Sequence, residues 1–177
     1  MTSFEIPADT TPPSRHVASD IAAILDAVRV AEARCAAMDL PSPGTWDAAR
    51  CDAAYRRGYG AFERGDYAQA IECFAPLLSA CPHQADYAVA LALCAQRLGE
   101  PRAALPLFMA AALIDREAPG PMYRVGECLF ELAYYAAAES AMCETMRRCA
   151  GQPGFAAVRR AAQRVMAMAQ AMAQAMA

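Results

Sequence analysis

The chain has 177 residues, 57% of them apolar, which is enough for one domain with a sizeable core and too hydrophobic for a disordered polymer. Sixteen basic residues against 19 acidic ones leave a net charge of −3, so no basic field exists to hold a phosphate backbone, which argues against nucleic acid as a partner. Every cation is Arg, Lys and Asn are absent, and 45 residues are Ala, a composition that favours helix.

No uncharged apolar run reaches the length of about 18 residues that a spanning helix needs. The opening MTSFEIPADTTPPSRH has neither the basic nor the apolar region of a secretory signal. We therefore expect a soluble, cytoplasmic protein that does not insert into membranes. Its eight cysteines are expected to be reduced and to serve as small apolar groups.

In chain order, residues 1–13 read as a disordered N-terminus. Residues 14–50 form an N-terminal helical region: over 14–39, Val17, Ile21, Ile24, Leu25, Val28 and Cys35 recur at steps of three and four, with Asp20, Asp26, Arg29 and Arg34 opposite. The breakers Pro41, Pro43 and Gly44 end it. The stripe either packs on the following helices or pairs with a second copy of the chain.

From residue 51 a 34-residue period takes over. Gly65 repeats as Gly99; Ala70 as Ala104 and Ala138; Phe74 as Phe108 and Met142; Gly58 as Ala92 and Gly126. This spacing resembles the tetratricopeptide repeat, two antiparallel helices with small residues where they cross. The register gives repeats over 51–84, 85–118 and 119–152, with Gly65 at a helix C-cap that wants positive φ. The third repeat departs most, with Ala133 in place of the turn glycine. Residues 153–177 read as a capping helix starting near Pro153. Its apolar stripe is Phe155, Val158, Ala162, Val165, Met168 or Ala169, and Met172; Arg159, Arg160, Gln163, Arg164 and Gln170 lie opposite, and fraying is expected after about residue 168. The predicted fold is an all-α helical-repeat solenoid with an extra helix at each end.

The segments AAYRRGYGAFERGDYAQAIECFAPLL (53–78), DYAVALALCAQRLGEPRAALPLFMAAALID (86–115) and PMYRVGECLFEL (121–132) resemble the class II chaperones of bacterial type III secretion systems. The departures are Pro101, where an aromatic is usual, and the AQAMAQAMA tail. The resemblance implies a cytoplasmic bacterial chaperone that keeps membrane-inserting translocator proteins soluble and apart before export. It also implies homodimerisation through the N-terminal region, which points to Ile21, Ile24, Leu25 and Val28.

In the repeat register, the first helix of each pair turns an inward face to the concave side: Tyr55, Tyr59, Phe62 and Glu63; Val89, Leu93, Gln96 and Arg97; Tyr123, Glu127, Phe130 and Glu131. Without Lys or Asn, a carboxylate clamp lacks its usual donors, and Tyr and Phe suit an extended apolar peptide. Core duty falls to other positions: Gly58, Ala70, Phe74, Ala92, Ala104, Phe108, Gly126 and Ala138.

An enzyme is not expected, since the chain has only His16 and His83, and Cys81 beside His83 reads as a junction loop. No cofactor, metal or catalytic residue is assigned. The cysteines lack zinc spacing, the C-terminal methionines suit a helix face better than copper, and GYG at 58–60 falls inside a helix. The alternative is a generic repeat scaffold joining folded proteins in an unrelated assembly.

Overall fold

The computed structural model describes residues 46–175. The N-terminal stripe, with Ile21, Ile24, Leu25 and Val28, lies outside the described residues, as do the expected disordered stretch 1–13 and the last two residues of the tail. The described chain is helical throughout: α1 (Ala48–Glu63), α2 (Tyr67–Ala80), α3 (Ala85–Arg97), α4 (Pro101–Ile114), α5 (Pro119–Glu131), α6 (Tyr135–Arg148), a 3₁₀ turn (Pro153–Phe155) and α7 (Ala156–Ala175). No helix of the described residues is long and apolar enough to cross a membrane.

Local chemistry sets the boundaries. Asp47 and Asp66 cap α1 and α2, their carboxylates accepting from the Arg50 and Gln69 amides. Pro101 and Pro119 begin α4 and α5, where a missing N–H costs nothing and a fixed φ suits the helix. Pro101 thus starts a regular helix despite the departure it marks.

Within each pair the two helices are joined by the same tight turn. The amides of Asp66, Glu100 and Tyr134 donate to Ala61, Ala95 and Leu129 carbonyls at 3.0, 3.0 and 2.9 Å, and those of Gly65, Gly99 and Ala133 donate to Phe62, Gln96 and Phe130. The turn needs positive φ at its centre, which Gly65 (+79°), Gly99 (+78°) and Ala133 (+63°) all adopt. Ala133 does so against the steric preference of its Cβ.

The turns define one edge of the solenoid, and the junctions between pairs define the other. At the junction edge Cys51 of α1 meets Cys81, which follows α2, and Tyr87 of α3. One repeat further on, Arg148 at the end of α6 reaches the carbonyls of Ala112, Asp115 and Ala118.

The core is built from small residues with a few large ones between them. All eight positions assigned to it are buried: Gly58, Ala70, Phe74, Ala92, Ala104, Phe108, Gly126 and Ala138. A Cβ at Gly58 would lie 2.6 Å from the Phe74 ring, so glycine lets α1 and α2 approach over that ring. Met142 fills the same space beside Gly126. The capping helix α7 packs on α6 through buried Ala162 and Ala169, with Cys143 beside Met166 at 3.8 Å and Gln170 donating to Glu139 at 2.6 Å. The helix stays regular to Ala175 rather than fraying after about 168; of the two alternatives for its stripe, Ala169 is buried and Met168 exposed, and Gln170, on the exposed side, still reaches Glu139 of α6.

Candidate functional site

The first helices of neighbouring pairs touch, as the rings of Tyr55 (α1) and Tyr87 (α3) show at 5.8 Å. In a repeat solenoid these first helices make up the inner layer. The predicted groove residues fall into three groups on this layer.

The first group is Tyr55 and Tyr59. Tyr59 is 51% exposed. Tyr55 is half-buried, held between Tyr87 and the core ring of Phe74 at 5.5 Å. Burial, then the nearby Asp86 and Tyr59, push the Tyr55 phenol above its usual range, so it stays a neutral hydrogen-bond donor. Tyr87 was not among the expected residues. Its equivalents in the other repeats are Ala53 and Pro121, so the period gave no sign of an aromatic there.

The second group sits in the middle of the layer. Val89 and Leu93 are half-buried and pack against the cluster of Ala92, Ala104, Phe108, Val125 and Cys128. Gln96 is half-buried, while Arg97 is exposed. These residues offer an apolar floor with a cation at the turn edge.

The third group is more polar. Tyr123 is half-buried; burial, then a hydrogen bond with Glu127 and that group's charge, push its phenol up to about 12. Arg124 pairs with Glu127 at 2.7 Å and lies 5.9 Å from the Tyr123 ring. Arg164 of α7 is exposed, and its charge, with that of Arg124, works against the rise of the Tyr123 phenol. Phe62 and Phe130 have a structural duty beside any other. Each meets, edge to face, the first residue of the following helix, Tyr67 at 5.3 Å and Tyr135 at 5.5 Å. In the second repeat Gln96 and Pro101 occupy the same places, so no ring pair forms there. Glu63 and Glu131 are exposed at the turn edge.

No group of three or more metal-binding side chains is brought together among the described residues. His83 is exposed, and Cys81 turns to Cys51. The seven cysteines among the described residues are free thiols. Burial pushes Cys94 up to about 11 and Cys128 up to about 12, the state of inert core thiols.

No family model matches the chain, and no curated protein does. Solved structures do. The Yersinia enterocolitica type III secretion chaperone SycD, in complex with a peptide of the translocator YopD, superposes with a TM-score of 0.68 at 19% identity, over 70% of this chain and 95% of that one. PcrH in complex with the chaperone binding region of PopD gives 0.69 at 24% identity, over 72% and 96%. The yeast Sti1 TPR2B domain in complex with pHsp70 gives 0.63 at 16%, over 68% and 95%. At these identities the likeness establishes the fold, a tetratricopeptide-type helical repeat.

Proposed function

We propose that this chain is a translocator chaperone of a bacterial type III secretion system. It works in the cytoplasm and holds an extended apolar segment of a translocator in the groove lined by α1, α3 and α5. One observation carries the reading: Tyr59 is exposed and Tyr55, Val89 and Leu93 are half-buried on the first helices, the layer that, in a repeat solenoid, faces an extended ligand. Support comes from SycD and PcrH, structures of this fold solved with translocator peptides. Its partners are hydrophobic translocators and a second copy of the chain. It binds and releases, and catalyses nothing.

The chemistry sets the affinity. Three peptide side chains burying about 300 Å² gain about 7 kcal/mol at about 25 cal/mol per Å². Ordering the segment costs about 2–5 kcal/mol. One segment therefore binds in the micromolar range or weaker, and holding a whole translocator takes further contacts.

Affinity capture of the tagged chain from its own host, read by mass spectrometry, tests the reading. One or two proteins with long apolar segments should co-purify with the wild type and be lost with Tyr59→Glu. Soluble folded partners captured equally by both forms would favour the generic scaffold.

A further inference from the structure

Charge is not spread evenly along the chain. Residues 145–177 hold five arginines and not one Asp or Glu, whereas residues 1–144 hold 11 arginines and all 19 carboxylates. Arg147 and Arg148 are taken up by Glu144. Arg159, Arg160 and Arg164 of α7 are exposed, and none of them forms an ion pair among the described residues. Met168 and Met172 follow Arg164 at four-residue steps and are 53% and 42% exposed. A capping helix needs only a polar outer side, which Gln163, Gln170 and Gln174 give it. Unbalanced arginines in line with open methionines are more than a cap requires, since ordinary surfaces mix both signs.

The packing of α7 orients this row. The helix runs along α6 and also touches α5, as α3 runs along α2 and touches α1, so it takes the place of the first helix of a fourth pair, on the inner layer. Buried Ala162 and Ala169, with Met166 and Gln170 meeting Cys143 and Glu139, turn one side of it to α6. At about 100° per residue, Arg164, Met168 and Met172 stand on the far side of the helix from Met166. The Arg164 charge reaches the Tyr123 phenol, across the step from α7 to α5.

We propose that α7 extends the groove as a fourth inner helix and takes the acidic flank of the client segment, Arg160 and Arg164 pairing with its carboxylates and Met168 and Met172 receiving an adjoining apolar side chain. Charge complementarity selects this occupant: guanidinium forks suit carboxylates two hydrogen bonds at a time, and methionines adapt to varied apolar neighbours. The extension rests on the groove reading above, and it supplies further contacts of the kind that one apolar segment lacks.

Photo-crosslinking of the full chain in its host tests it, with p-benzoylphenylalanine in place of Tyr59 or of Met168. Three steps between first helices at about 8–10 Å each span about 24–30 Å, or about eight extended residues. The residue joined at 168 should therefore lie in the same client within about 15 residues of the one joined at 59, with an Asp or Glu within about three of it. The ratio of the 168 product to the 59 product should fall at least about fivefold in Arg160→Glu with Arg164→Glu. Should that reversal disturb α7, Arg164→Gln alone should lower the ratio at least about twofold. Arg57→Glu with Arg116→Glu, exposed cations outside the inward set, should leave it unchanged. Three results overturn the proposal: no product at 168 while 59 gives one; a 168 product with another protein, with membrane lipid or with the chain itself; or a ratio that survives both arginine variants. No product at 59 would instead fell the groove reading, and this extension with it.

Discussion

Gly58 and Gly126 hold the same place in their repeats, yet the neighbours that fill the space differ in stiffness. A methyl at Gly58 would meet three atoms of the Phe74 ring at 2.6–2.9 Å, and a fully buried ring cannot step aside. At Gly126 the clash is with the terminal methyl of Met142, a flexible side chain. Gly58→Ala should therefore cost about 1–3 kcal/mol in urea unfolding, and Gly126→Ala under about 1 kcal/mol, since overpacking there is relieved and alanine favours helix. Ala133 is the converse case. It holds φ at +63° in a turn where Gly65 and Gly99 do the same without strain, so Ala133→Gly should stabilise by about 1 kcal/mol in thermal unfolding. The 34-residue period exposes this position as the odd one, and the hydrogen bonds of the turn explain why it keeps the conformation regardless.

At the scale of elements, Arg148 fastens the third pair to the second. Its guanidinium is buried at 9% exposure and donates to the carbonyls of Ala112, Asp115 and Ala118, and to Glu144 at 2.9 Å. Two of those carbonyls belong to the end of α4, where the helix leaves acceptors without partners. Asp115 tightens the same loop by accepting from the Glu117 and Ala118 amides. Arg148→Ala strands these groups and should cost about 2–4 kcal/mol in urea unfolding, with Arg148→Lys recovering little because an ammonium cannot reproduce the fork. Hydrogen bonds from Arg147 and Arg148 hold the Glu144 carboxyl down at about 2. The folded state therefore binds fewer protons than the unfolded one, whose carboxyl titrates near about 4.3. The stabilisation is complete above that value and is lost as pH falls toward about 2. Urea unfolding across this window should show the wild type losing stability faster than Glu144→Gln.

None of this latch was legible in the sequence. An Arg in the last turn of a helix reads as a solvated cation favoured by the dipole, and only the neighbouring pair's carbonyls, some thirty residues away in the chain, give it a buried role. Tyr87 was missed for a similar reason: it meets Tyr55 through a contact between repeats, which a period within repeats does not encode. What the period does encode is the small-and-large matching at helix crossings, and there every expected core position is buried.

The described molecule is a close-packed stack of helices. Small residues draw the helices together, aromatic pairs close the first and third turns, and the inner layer keeps an apolar face with Tyr59 at its open end. The residues that the repeat register turns inward belong to the first helices, and two of them, Phe62 and Phe130, are engaged in closing turns. Removing an exposed tyrosine should therefore separate binding from folding. Tyr59→Glu should change stability by no more than about 0.5 kcal/mol, because surface side chains away from caps and networks rarely matter more.

The most direct measurement is calorimetric titration of the wild-type chain and of Tyr59→Glu with the peptide segment recovered from its captured translocator. The wild type should bind in the micromolar range with a negative heat-capacity change, and the variant should lose at least about tenfold at unchanged melting temperature. Equal binding by both forms would contradict it, placing the client somewhere other than this groove.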